Sequence, residues 1–113
     1  MDSYDVVIIG AGVVGCLTAR FLSRYQLRIL VIEKESDVGA GTSSANSALI
    51  HAGYDPVPGT LKAAMNVRGN SMWDDLAGEL DFDFERCGDY VAAIGDEEFQ
   101  KLFVLKKQGE QNG

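Results

Sequence analysis

An apolar run, Val6-Val7-Ile8-Ile9, enters Gly10-Ala11-Gly12-Val13-Val14-Gly15, and a second apolar run, Ile29-Leu30-Val31-Ile32, ends on Glu33 with seventeen residues between Gly15 and that acid. No other stretch constrains the fold as tightly, because each part has a physical purpose only in the order strand, turn, helix, parallel strand. Gly10 permits a tight turn out of the first strand, Gly12 lets backbone approach a pyrophosphate with no Cβ in the way, and Gly15 lets the helix pack closely on the sheet. Unpaired N–H groups at the helix N-terminus favour an anion, and Glu33 is placed to accept hydrogen bonds from a ribose hydroxyl pair. The pattern predicts an α/β chain with a dinucleotide site.

At 113 residues the chain makes one domain at most, with room for a modest core. Its 46% hydrophobic content fits a soluble globular sequence. A net charge of -7 argues against a nucleic-acid partner, which would call for clustered Lys and Arg. The apolar stretch from Val6 to Val14 is not a leader, since Asp2 and Asp5 stand where positive charge belongs and glycines interrupt it. Nothing reaches the length of a membrane-spanning helix. Cys16 and Cys87 form no disulfide framework and read as small buried hydrophobes, consistent with a reducing, cytoplasmic setting. No metal site is expected.

Along the chain, a strand is expected over residues 4–9, then a helix with Val13, Leu17, Phe21 and Leu22 on one face and Ala19 also inward. A buried parallel strand follows over residues 28–32. The segment from Lys34 to Pro58, with both prolines and many Gly, Ser and Ala residues, reads as a functional loop. Thr60 is expected to cap a helix over residues 61–80 with Leu61, Met65, Met72, Leu76 and Leu80 near one face, although Gly69 and Gly78 weaken it. Residues 82–94 read as a strand pair or one bent strand punctuated by Gly88. Asp96, Glu97 and Glu98 open a last helix with Phe99, Leu102, Phe103 and Leu105 on its apolar side, ending at Lys106-Lys107. Two clear parallel strands are too few for a doubly wound sheet, so the sequence reads as the beginning of a longer protein.

The loop after Glu33 narrows the cofactor. Gly39-Ala40-Gly41-Thr42-Ser43-Ser44-Ala45-Asn46-Ser47-Ala48 is dominated by small and hydroxyl side chains, which would let backbone and Ser/Thr groups reach a second set of phosphate and ribitol oxygens. With the glycine motif, Glu33 and the continuation Leu49-Ile50-His51-Ala52-Gly53, the chain resembles the FAD-dependent oxidoreductases of the D-amino-acid oxidase type. Asn46-Ser47, Ile50-His51-Ala52-Gly53, Pro58-Gly59-Thr60-Leu61-Lys62-Ala63 and Val67-Arg68-Gly69 resemble the branch of glycerol-3-phosphate dehydrogenases and L-2-hydroxyglutarate oxidases.

The resemblance covers about residues 4 to 112. It implies the N-terminal, incomplete part of a Rossmann-like FAD-binding domain spanning 1–113, with the substrate domain absent. Gly10, Ala11, Gly12, Val13, Val14 and Gly15 would line the pyrophosphate of FAD, and Glu33 with Lys34 the adenosine ribose. Gly41, Thr42, Ser43 and Ser44 would flank the pyrophosphate, while Asn46, Ser47 and Ala48 would approach the ribitol and the ring. The family places the loop carrying His51 beside the flavin ring, and an imidazole suits acceptance of the proton that leaves a secondary alcohol as its hydride departs. His51 is therefore the candidate catalytic residue, with a flavin- or substrate-orienting role as the competing reading. Lys62 and Arg68 read as solvated, and Met65, Met72 and Trp73 as core packing.

The expected substrate is a small hydroxy acid or polyol phosphate, glycerol 3-phosphate before L-2-hydroxyglutarate because of Ala48 and Asp55-Pro56. The electron acceptor stays open between oxygen, a quinone and a partner protein, as does peripheral membrane association of the whole protein. Two rival readings stand beside this one: a non-catalytic nucleotide-binding fragment, suggested by the stop at Asn112-Gly113, and an NAD-only protein, since Glu33 suits that ribose equally.

Overall fold

The computed structural model describes residues 3–113, so that Asp2 lies outside the described residues and Asp5 within them. The chain divides into two compact units, one ending at Leu49 and one running from Ile50 to Gly113.

The first unit is β1 (Val6–Ile9), α1 (Val13–Leu22) and β2 (Ile29–Ile32). Nearly every strand residue is β-branched, which suits a pleated, half-covered surface. The strands pair in parallel with Val6 opposite Ile29 and Ile9 opposite Ile32. They are shorter than the sequence suggests because side-chain and turn contacts take over at the ends. Asp5 N–H donates to the Arg28 carbonyl at 2.9 Å while its Oδ2 accepts from Arg28 N–H at 2.7 Å. Beyond the other end, Gly10 N–H donates to the Ile32 carbonyl at 2.7 Å.

Helix α1 covers this sheet with only part of its expected face. Leu17, Ala19 and Leu22 are half-buried, whereas Val13 and Phe21 are exposed, and the Arg24 guanidinium lies 5.0 Å from the Phe21 ring centre. Among the described residues of this unit only Ala11 is a buried apolar residue, and Ile9 is 88% exposed. A two-stranded sheet is too narrow to cover a helix face and both its own faces. Both cysteines are exposed, which corrects the buried reading: the Cys16 thiol turns back to the Ala11 carbonyl at 3.3 Å, and Cys87 lies in a segment with little packed against it. Residues 34–58 contain no helix or strand, as expected.

The second unit contains α2 (Leu61–Ser71), α3 (Trp73–Leu80) and α4 (Asp96–Asn112). Thr60 caps α2 as its sequence position requires, its Oγ1 accepting from Ala63 N–H at 3.2 Å. The single helix expected over 61–80 is two, broken at Met72. There the Met72 N–H reaches the Gly69 carbonyl three residues back, and the Ser71 hydroxyl donates to the Arg68 carbonyl, tightening the last turn. Of the expected apolar face, Leu76 is buried and Met72 half-buried, while Leu61, Met65 and Leu80 are exposed. Trp73 packs edge-on against Phe82 with ring centres 5.8 Å apart. Left-handed Asp81 ends α3.

Residues 82–94 form no strand, contrary to expectation. The segment is held by side chains instead: Arg86 binds Asp74 and Asn70, and Asp89 accepts from the Tyr54 hydroxyl at 2.9 Å. Tyr90 and Ile94, the apolar ends of the supposed strand, are 95% and 88% exposed. Helix α4 starts where its acidic first turn predicts but runs past Lys107 to Asn112, because Gln108 and Asn112 bind the carbonyls of Gly53 to Pro56. No helix among the described residues is long and apolar enough to cross a membrane.

Candidate cofactor-binding site

The turn between β1 and α1 is shaped by what its glycines omit. Gly10 adopts φ +99°, a conformation that side chains rarely allow. A Cβ on Gly15 would lie 1.9 Å from the Gly10 carbonyl oxygen and 3.4 Å from Ile8 Cγ2, so helix and strand can meet only if that atom is missing. Gly12 precedes α1 in extended conformation and has no side chain to cap it. The cap comes from thirty residues away, where Ser43 Oγ accepts from Val13 N–H at 2.9 Å. A Cβ on Gly12 would stand 3.1 Å from that oxygen, filling the narrow space between turn and loop.

Glu33 closes the other side. Its Oε2 accepts from Ala11 N–H at 2.6 Å, and its Oε1 accepts from Lys34 and Glu35 N–H at 2.8 and 3.0 Å. These donors, Ala11 foremost, hold the carboxyl below the usual carboxylate range and keep it ionised. A carboxylate accepts about four hydrogen bonds, so about one position remains on Oε2 for a hydroxyl from outside. The Ala11 carbonyl in turn accepts from Gly39 N–H at 2.9 Å, stitching the long loop to the turn.

Two clefts open on this framework. One, of about 390 Å³, is lined by Gly10, Gly12, Glu33, Lys34 and Gly39 to Ser43, with Glu35 beside them. The other, of about 590 Å³, is lined by Gly12 to Gly15, Thr18, Thr42, Ser43 and Asn46. Gly10, Gly12, Thr42 and Ser43 belong to both. Ala11 is buried beneath the turn, and Ser44, Ser47 and Ala48 line neither cleft. Asn46 braces the loop itself: its Nδ2 donates to the Thr42 and Ser43 carbonyls, and its Oδ1 accepts from Ala48 N–H at 2.8 Å, where Ala48 takes φ +56°.

His51 lies in the second unit and is exposed, with its carbonyl accepting from Asn70 Nδ2 at 3.1 Å. Two residues on, buried Gly53 takes φ +98°, and a Cβ there would fall 2.7 Å from Val67 Cγ2. Arg86 clamps Asn70 and Asp74 together, which lowers the Asp74 carboxyl and raises the guanidinium from their ordinary values. Bonding to Asp89 raises the Tyr54 phenol. Lys62 and Arg68 are exposed, Lys62 lying 3.3 Å from Asp55, a pair in water that contributes little.

A parallel βαβ unit whose glycine turn abuts a helix N-terminus, with an acid closing the second strand, is the architecture of dinucleotide-binding proteins. The chain belongs to the FAD dependent oxidoreductase family, whose model matches residues 5–113. It is 56% identical over 110 residues to the glycerol 3-phosphate dehydrogenase of Caloramator mitchellensis, covering 97% of this chain and 23% of that protein. The mitochondrial L-2-hydroxyglutarate dehydrogenase of Dictyostelium discoideum is 39% identical, with 97% and 25% covered. Dithionite-reduced L-alpha-glycerophosphate oxidase from Mycoplasma pneumoniae, solved with FAD bound, superimposes with a TM-score of 0.84 at 36% identity, covering 99% of this chain and 29% of that one. The chain thus spans about a quarter of the length of its relatives.

Sequence reasoning missed the backbone work of Glu33 and the clamp of Asn70 and Arg86 on His51. The first depends on how the glycine turn folds back onto the acid, and the second had no signal in spacing or composition.

Proposed function

We propose that this chain is the FAD-binding portion of a flavin-dependent dehydrogenase or oxidase that oxidises a small hydroxy compound, glycerol 3-phosphate in preference to L-2-hydroxyglutarate. The observation that carries the reading is the narrow space between Gly12 and Ser43, shared by both clefts and open because Gly12 lacks a Cβ. An extended dinucleotide needs such a shared crossing point, with backbone N–H groups of the α1 N-terminus beside it. When bound, FAD would supply the acceptor for the hydride leaving the alcohol carbon.

The protein's own groups do the rest. Gly10, Gly12, Val13, Val14 and Gly15 with Thr42 and Ser43 hold the pyrophosphate over buried Ala11, and the remaining acceptor position of ionised Glu33 takes a ribose hydroxyl. Lys34 lines the same end. Gly41, Ser44, Asn46, Ser47 and Ala48 shape the loop along the ribitol and ring. His51 accepts the hydroxyl proton of the substrate. The greater identity to the glycerol 3-phosphate dehydrogenase, 56% against 39%, supports the preferred substrate.

The test is the absorbance spectrum of the whole protein, followed by anaerobic mixing with each compound. Visible flavin bands bleached faster by glycerol 3-phosphate are expected. A colourless protein that binds NAD tightly would overturn the flavin reading, and faster bleaching by L-2-hydroxyglutarate would reverse the substrate order.

A further inference from the structure

We propose that Asn70 is a positioning residue for His51, oriented for that task by Arg86 and Asp74; this rests on the reading of His51 as proton acceptor. Asn70 occupies the last turn of α2, and its amide can satisfy its neighbours in one orientation only. Nδ2 donates to the His51 carbonyl at 3.1 Å while Oδ1 accepts from Arg86 NH1 at 3.0 Å. Turning the amide over would set oxygen against oxygen and NH2 against guanidinium, so the cation fixes the orientation.

Arg86 is itself held on three sides. Its NH2 donates to the Asn70 carbonyl at 3.1 Å, its Nε donates to Asp74 Oδ1 and Oδ2 at 3.0 and 2.9 Å, and it lies 5.3 Å from the Phe84 ring centre. The planar fork therefore grips both side chain and backbone of one residue, which a lysine could not do. Beyond His51 the turn is fixed by Gly53 at φ +98° against Val67. The Asn70 contact is to the His51 carbonyl and leaves both ring nitrogens to the chemistry. Such a clamp sets where the imidazole starts from, and displacements of about 1 Å at a reacting group cost up to about 100-fold in rate.

The experiment is anaerobic flavin reduction in the whole FAD-loaded protein, using saturating glycerol 3-phosphate or L-2-hydroxyglutarate, whichever reduces the wild type. Asn70→Asp keeps the size and the acceptor for Arg86 but turns an oxygen onto the His51 carbonyl. It should slow reduction roughly 10- to 100-fold with flavin content unchanged. Added to His51→Ala it should slow reduction no further, because the group it positions is gone. Arg86→Lys, which leaves Asn70 in place but frees its amide, should reproduce the loss and serves if Asn70→Asp does not fold.

Wild-type rates in Asn70→Asp and Arg86→Lys alongside a slow His51→Ala would overturn the proposal alone. So would a double variant slowed by the full product of both losses, since Asn70 would then act independently of His51. A His51→Ala variant reduced at the wild-type rate, or a wild-type flavin that neither compound reduces, would overturn the underlying reading and this proposal with it.

Discussion

Gly15 and Gly10 approach so closely that a Cβ on Gly15 would fall 1.9 Å from the Gly10 carbonyl oxygen. Helix α1 therefore leaves the turn at the angle it does because of a missing side chain. That angle aims the Val13 N–H at Ser43 and leaves the space over Gly12 clear. The packing of one glycine and the exposure of the next are parts of one arrangement.

Gly15→Ala should move the helix or the turn, since the obstructing atom is backbone and cannot swing aside. Overpacking of this kind costs about 1–3 kcal/mol. In the whole protein a lower melting temperature and a lower flavin content are expected together. A variant matching wild type in both would mean that the close approach is not needed for the site.

Glu33 makes the site sensitive to acid. Its folded pKa lies below the ordinary value of 4.5, so its contribution is fully present above that value and is lost as pH falls through the depressed one. Flavin retention should therefore fall as pH drops below about 4.5 in the wild type. Glu33→Gln should retain flavin more weakly at neutral pH, on the order of tenfold, with a flatter acid profile. Equal retention and parallel acid profiles in a flavin-release titration would deny Glu33 both its roles.

What the sequence revealed and what it concealed differ in range. The β1 turn, α1 and the Thr60 cap are legible because each depends on residues within a few positions, and their residue types have local reasons to be there. Residues 82–94 carry Phe82, Phe84, Tyr90, Val91 and Ile94, a composition suited to a strand, but a strand exists only through a partner and the described sheet ends at two. The break at Met72 is hidden for another reason: no proline marks it, Gly69 weakens the helix without ending it, and a serine hydroxyl and one three-residue hydrogen bond to the Gly69 carbonyl suffice. In the site, Glu33 was visible as an acid at a strand end, whereas its bond to Ala11 depends on how the turn folds back. The link from Asp74 through Arg86 and Asn70 to His51 joins ordinary polar residues with no period, and only the fold gathers them.

Ser43→Ala removes the side-chain oxygen that accepts from the Val13 N–H. Loss of an N-terminal cap costs about 1 kcal/mol. The hydroxyl also lines both clefts, so a melt of the flavin-bound protein should fall further than a melt after flavin removal. Equal shifts in the two melts would confine Ser43 to capping.

His51→Ala bears on the mechanism itself. If the imidazole takes the hydroxyl proton as hydride leaves the substrate, its loss should lower the rate of flavin reduction by roughly 10²–10⁴-fold while FAD stays bound. The pH profile of reduction should also lose one ionisation, because the variant removes the group that must be neutral to act as base. A residue that merely orients flavin or substrate would give a smaller loss with the profile intact. Replacement by Gln separates the two, since an amide can hold a substrate hydroxyl in place but cannot accept its proton. Stopped-flow reduction of His51→Gln near the wild-type rate would assign His51 to orientation, and rates as low as those of His51→Ala, on a profile lacking the ionisation, are the outcome expected of a base.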